Sequence, residues 1–500
     1  MNLSIGKWIP VVNAHGQPST ASLLDLFDAE QEIRDLAVTA PQRIAIYRLL
    51  ICIAQTALDG PATREEWEIC QPEIATTAHR YLVKWQDRFE LFDDRHPFLQ
   101  FPGLSKPVKS GKATEEESWV PASKLDFALS TGNNTTLFDH AAATDLPRVF
   151  EPWQLALTLL GFQSFSPGGR IGVASWHGKE TSGKGSSSHA LCSSSAMLHV
   201  FIRKETVLAT IHANLLTKVE VANEKLTWGR PLWEHFPSSF DDAAAITNAT
   251  TTYLGRLVPL SRAILLYPDC VNMILGNGLT YNSFPNHPPE PSASTVIGKD
   301  NQRRLLGIGS RPIWRELPAA LCKRRMDQPG GPAILGKVDE STAFDLWAGA
   351  FQTDKATILG SVESVFHIPP RLMSEPGRLA YEEEIQLSQK ISQTVAEAAD
   401  IYRKHLEAKP QNYPEKRDAL SFYWTRIEQA LPLLNAHFQA PENSAEADAF
   451  LEKWRRTLWS TAYAAYTACC PAQTPRKRRA SQLGLNVFHS RKPFSTSQPK

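Results

Sequence analysis

The sequence predicts an α+β protein: a large, irregular, mixed α/β N-terminal domain over residues 1–366, an antiparallel four-helix bundle over 367–475, and a basic, disordered tail over 476–500. Three observations carry this expectation. Long apolar stripes at helical spacing recur only after Pro369-Pro370. Before that point, short apolar runs alternate with proline- and glycine-rich stretches. Beyond residue 475 the chain holds seven Lys or Arg, no acid and few core formers, so it lacks the means to bury itself.

Taken in order, residues 1–12 carry Leu3, Ile5, Trp8, Ile9 and Val11 in partial alternation and end in turn formers, which predicts a strand. A short helix follows over 21–26. Pro41 opens a helix over 43–58 whose Ile46, Leu49, Leu50, Ile53 and Ala57 share a face. The stretch 72–89 repeats that pattern with Ala75, Ala78, Leu82, Trp85 and Phe89. Residues 94–103 are extended and proline-bounded, 106–117 form a polar loop, and 152–162 an apolar helix. Between 164 and 195 lie six glycines and three bases, Arg170, Lys179 and Lys184, against the single acid Glu180; an exposed, mobile loop is expected. Its end, 196–202, reads as a strand or helix start leading into 209–216. A short strand is expected at 263–266 and a turn at Gly276-Asn277-Gly278, with irregular and helical segments alternating up to Phe366. Helices over 379–406, 416–438 and 445–468 follow, joined by short links containing Pro410, Pro414 and Pro441. With a helix before Phe366 they complete the bundle.

Five hundred residues exceed one ordinary core. Lys and Arg number 53 against 52 Asp and Glu, so any nucleic-acid contact must come from local patches rather than net charge. The seven cysteines are single except for Cys469-Cys470 and form no CxxC pair, which excludes a disulfide framework or zinc ribbon and points to the reducing cytoplasm. No window approaches about 20 apolar residues, so no membrane span or membrane partner is expected.

The strongest enzymatic signal is Gly178 to Lys184, a GxxxxGK match to phosphate-wrapping loops. Gly185 stands where a magnesium-holding hydroxyl belongs, and a serine run rather than a helix follows. His189, Cys192 and His199 supply three ligand types without the fourth that structural zinc wants. Asp139-His140 has no nucleophile beside it. The expectation is therefore no catalytic residue, no metal and no cofactor. Three other segments suit contact rather than chemistry. Gly132-Asn133-Asn134 offers exposed amides and left-handed backbone, the glycine loop 166–185 permits close backbone approach, and the basic run 303–325 surrounds Trp314.

Several of these segments together resemble the CasA-type large subunit of type I-E CRISPR Cascade. They are the opening MNLSIGKWIPV; Leu49-Leu50-Ile51-Cys52-Ile53-Ala54-Gln55; His96-Pro97-Phe98-Leu99-Gln100; Leu260-Ser261-Arg262; and Trp314-Arg315. The most specific is Ser130-Thr131-Gly132-Asn133-Asn134-Thr135-Thr136-Leu137-Phe138-Asp139-His140, similar to the family's SGNN-x-TLFDH loop.

That resemblance implies a non-catalytic subunit whose partners are crRNA, double-stranded target DNA, the other Cascade subunits and a helicase–nuclease. It would recognise the protospacer-adjacent motif (PAM), wedge the duplex open and help recruit the nuclease. It implies crRNA-handle and subunit docking by Gly132, Asn133, Asn134, Thr135, Leu137 and Phe138. It implies PAM and DNA contact by Pro167, Gly168, Gly169 and Asn277, and by a wedge hairpin carrying Gln352 or Lys355 where relatives usually present glutamine. Two other functions remain open from the residues alone: an ATPase using Lys184, or a scaffold in another ribonucleoprotein.

Overall fold

Three short strands begin the chain, β1 (Ile9–Asn13), β2 (Pro18–Ala21) and β3 (Ile33–Leu36), paired antiparallel in the order β2-β1-β3. Buried Trp8, Ile9 and Val11 hold this sheet to the core, and the helix α1 (Leu23–Phe27) is closed by a Ser22–Asp25 capping box. The central helix α2 (Ala40–Leu58) starts with Pro41 in its first turn and is buried on every side from Ile44 to Gln55. A helix apolar all round belongs at the centre of a core rather than on its surface. Next comes α3 (Gln71–Lys84), which passes into a 3₁₀ turn, Gln86–Phe89. The computed structural model describes residues 1–106, 119–127, 148–166, 169, 171–181, 192, 197–281, 292–297, 301, 303–308, 312–323, 330–354, 357–406 and 414–490.

Further along lie β4 (Val120–Pro121), α4 (Pro152–Phe165), the hairpin β5 (Ser175–Trp176) and β6 (Lys179–Glu180), β7 (His199–Arg203) and α5 (Val207–Ala213). They are followed by β8 (Arg262–Leu266), β9 (Asn272–Asn277), the pair β10 (Thr295–Ile297) and β11 (Arg303–Leu305), and the long hairpin β12 (Phe344–Asp354) and β13 (Thr357–Ile368). Two three-stranded antiparallel sheets matter for the site: β4-β9-β8 and β13-β12-β7.

The chain forms two compact units, Met1–Asp339 with Phe344–Ile368, and Glu340–Ala343 with Pro369–Lys500. The second unit is built from α6 (Glu375–Leu406), α7 (Glu415–Gln439), α8 (Ala445–Cys469) and α9 (Pro475–Ser490). Tyr381, Val395 and Tyr402 of α6, Tyr423 and Ile427 of α7, and Trp454 and Leu458 of α8 fill its interior.

Several expectations need correction. The basic tail is not disordered through its first half. Residues 475–490 form α9, the fourth helix of the bundle, because Ala480, Gly484 and Phe488 lie four residues apart and are buried. Gly484 is required there, since an added Cβ would lie 2.0 Å from the Tyr466 hydroxyl and 2.7 Å from the Ala398 carbonyl. The segment leading up to Phe366, expected to supply a helix to the bundle, is instead the β12–β13 hairpin. Residues 276–277 are not a turn; they end β9, with Asn277 buried. Trp314 is 3% exposed, so it packs in the core and offers no stacking surface to a partner.

Candidate nucleic-acid interface

The sheet β4-β9-β8 is a platform for the glycine loop. Arg262, opening β8, is 1% exposed, although arginine is rarely found fully buried. It is retained because acceptors converge on it. Its Nε donates to Ser166 Oγ (2.8 Å) and Nη1 donates to the Gly169 carbonyl (3.1 Å). Burial lowers its pKa to about 10, which leaves the guanidinium charged at neutral pH. Its own backbone is gripped by buried Gln163 of α4: the Arg262 amide donates to Gln163 Oε1 (2.9 Å), and Gln163 Nε2 donates to the Arg262 carbonyl (3.0 Å). The same Nε2 donates to the carbonyl of Leu99, a residue in the left-handed region at φ +54.

Asn277 is the direct cross-strand partner of Arg262. Its Oδ1 accepts from the Ile171 amide (3.0 Å), and its own amide donates to the Gly172 carbonyl (2.9 Å). Gly169 (φ +127) and Gly172 (φ +154) take backbone conformations that side-chain-bearing residues resist. Gly276 lets the loop lie flat on β9, since a Cβ there would come within 2.5 Å of the Ala174 methyl. Lys106 donates to the Leu275 carbonyl beside this point, and desolvation, followed by nearby Lys124, lowers its pKa. The stretch then returns as β5–β6, with Trp176 buried against Phe101 and Phe240 and its Nε1 donating to Pro102 (2.8 Å).

The described part of 164–195 is therefore tied to the sheet and not wholly an exposed loop as composition suggested. Two of the expected DNA-contact residues, Gly169 and Asn277, are brought together through Arg262 and Ile171; Pro167 and Gly168 lie outside the described residues. Arg262, Gln163 and Ser166 were missed as site residues. The available signal was a lone arginine at the head of the apolar strand RAILL.

Gln352 belongs to the other sheet. It is half-exposed near the end of β12, opposite Gly360, where a bulge between Gln352 and Thr353 breaks the register. Lys355 lies outside the described residues. So do the docking positions Gly132, Asn133, Asn134, Thr135, Leu137 and Phe138, but the chain on either side is fixed. Phe127 packs on Phe162 and on Phe351, the neighbour of Gln352. On the far side, the Phe150 amide donates to the Cys270 carbonyl (3.0 Å), with Arg148 over the Phe150 ring.

The phosphate-loop match begins in the wrong structure for phosphate. Gly178 sits in the turn joining β5 to β6, and Lys179–Glu180 pair back onto Ser175–Trp176 instead of opening a helix. His199 Nε2 donates to the Cys192 carbonyl (2.9 Å), while His189 lies outside the described residues. Among the described residues no group of three His, Cys, Asp or Glu is placed to hold a metal ion, and no helix is long and apolar enough to cross a membrane.

Comparison with known proteins bears on this arrangement. A family model described as CRISPR-associated protein Cse1 matches residues 2–465. A CRISPR-associated protein CasA/Cse1 of Thermus thermophilus is 23% identical over 503 residues, covering 93% of this chain and 92% of the relative. The solved structure of Thermus thermophilus CasA (Cse1) is similar with a TM-score of 0.73 at 21% identity, over 98% of this chain and 99% of that one. Cse1 of Thermobifida fusca gives a TM-score of 0.75 at 19% identity, over 98% and 97%. A chain of a structure described as a CRISPR RNA-guided surveillance complex gives 0.71 at 16% identity, over 98% and 99%.

Proposed function

The chain belongs to the CRISPR-associated Cse1 family, and from that premise we propose that it reads the PAM in double-stranded DNA and starts strand separation beside it. Membership makes it a CasA-type large subunit of a type I-E surveillance complex. In this reading Pro167, Gly168 and Gly169 approach the minor groove as backbone, with Asn277 and Arg262 behind them. A surface of small residues and amides reads groove width and A·T against G·C, so several motifs are tolerated.

The single observation that carries this reading is the double clamp on the loop. Arg262 holds the Gly169 carbonyl and Asn277 holds Ile171 and Gly172, so these backbone groups are already fixed when they meet a groove. The hairpin carrying Gln352 and Lys355 acts as the wedge. Unstacking one step costs on the order of a few kcal/mol, and guide pairing roughly balances the duplex it replaces, so the wedge needs only to start the exchange. Gly132, Asn133, Asn134, Thr135, Leu137 and Phe138 dock on the crRNA handle and an adjacent subunit, and a helicase–nuclease is recruited once the duplex is open. The chain itself breaks no bond, and the complex works in the cytoplasm.

The test is Gly169→Leu in the assembled complex. Affinity for a motif-bearing duplex should fall at least about tenfold, roughly the 1.4 kcal/mol of a single lost fit, while co-purification with the other subunits and crRNA persists. Unchanged duplex affinity would remove the glycine loop from the interface.

A further inference from the structure

The hairpin β12–β13 changes character part-way along. Strand β7 lies beside β12 from Asp345 to Gly349, and among the described residues no strand accompanies it beyond that point. From Ala350 to Asp354, β12 is paired to β13 alone. A three-stranded sheet holds its direction, whereas a two-stranded ribbon twists more and is only marginally stable by itself. Gln352 stands three residues past this junction, about 10 Å at strand spacing.

A clasp closes the junction itself. Gly349 is opposite Glu363, and the Trp347 ring lies over Gly349, where a Cβ would come within 2.3 Å of it. Trp347 therefore reaches diagonally across the strand pair, and its Nε1 donates to Glu363 Oε2 (2.9 Å). Arg43, in the first turn of α2, grips both. Its Nε forms an ion pair with the same Oε2 at 3.5 Å, and its guanidinium stands 5.9 Å from the centre of the Trp347 ring. The rest of the fork is fixed to β3: Nη1 donates to Asp35, and Nη2 to the Leu36 carbonyl (2.7 Å). Asp35 also pairs with Arg203 of β7 (3.1 Å), which is opposite Asp345 of β12. The Arg43 side chain is 12% exposed, so solvent screens these contacts little. Phe351, two residues past the junction, packs on Phe127 and Phe165, but apolar contact is non-directional. The angle is fixed by the planar arginine fork.

We infer that Arg43 is a positioning residue for strand separation: through Trp347 and Glu363 it sets the direction in which the hairpin carries Gln352, without itself touching DNA. This rests on the hairpin being the wedge. None of the residues that Arg43 grips belongs to the β4-β9-β8 sheet that carries the glycine loop, so Arg43 governs opening and not motif recognition.

The experiment follows opening of a motif-bearing duplex by the assembled complex, with a fluorescent base analogue in the base pair beside the motif. In R43M and in E363Q the opening rate should fall about tenfold or more, since misplacing a working group by about 1 Å can cost up to about a hundredfold. E363Q keeps an acceptor for Trp347 and loses only the charge facing Arg43, at a side chain 41% exposed, so it tests the clasp without threatening the fold. Affinity for a duplex cross-linked beside the motif should stay at the wild-type value, and a target already mismatched there should be engaged at the wild-type rate. Loss on all three duplexes would assign Arg43 to fold stability, and wild-type opening by both variants would remove it from strand separation; either result overturns the inference. Gln352→Ala combined with Lys355→Ala separates this from the reading beneath it. If that pair slows opening and R43M does not, the positioning role alone fails. If that pair also opens the duplex at the wild-type rate, the hairpin is not the wedge and both fall.

Discussion

The N-terminal unit and the helical bundle differ in how deeply they bury arginine. In the first, Arg48, Arg256 and Arg262 are each no more than 2% exposed. Arg48 donates to the carbonyls of Leu257 and Arg256, and Arg262 to that of Gly169. In the second, Arg478 and Arg479 of α9 are exposed. The difference lies in whether the fold brings carbonyls to the guanidinium. Where it does, the arginine is a staple that fixes loop geometry. Where it does not, the side chain stays at the surface and fixes nothing in the core. The shape of the glycine loop is thus set by one buried cation, Arg262, and not by the cations at the surface.

That contrast can be broken most forcefully at Arg262. Arg262→Ala strips the partners from Ser166 and Gly169 and opens a void, and should cost about 3 kcal/mol, since hydrogen bonds from a charged group contribute 1.5–3 and buried acceptors left unpaired add to the loss. Denaturant unfolding of the N-terminal unit would read this as a lower midpoint, and no change would mean that Arg262 is not a staple. Gly484→Val attacks the other region. The new side chain must displace Tyr466 or the Ala398 backbone, so overpacking should cost about 1–3 kcal/mol and loosen α9, seen as faster amide exchange from 476 to 489. Asn277→Ala is the mildest. It removes the acceptor for the Ile171 amide and should cost about 1 kcal/mol. Its diagnostic is weaker duplex binding in the assembled complex with subunit assembly intact.

Much of the helical architecture was legible because α2, α3, α6, α7 and α8 display large apolar residues at helical spacing. The elements that were not legible share a physical cause. The seam of α9 is made of Ala480, Gly484 and Phe488, and small residues do not register as a hydrophobic stripe even though they permit the closest packing. Strand β12 is buried on both faces, with Leu346, Trp347, Ala348, Ala350 and Phe351 all inside, so the alternation that marks a half-buried strand is missing. The platform was hidden for another reason. Gly169 and Asn277 were singled out by the family resemblance, but Arg262 reaches Gly169 across 93 residues, and no local pattern reveals which distant carbonyl a buried arginine will meet.

The most direct measurement compares the assembled RNA-guided particle with and without this chain, reading the ratio of affinities for matched duplexes that carry or lack the PAM. The account predicts a ratio well above one when the chain is present and near one when it is withheld. Equal discrimination in its absence would contradict it.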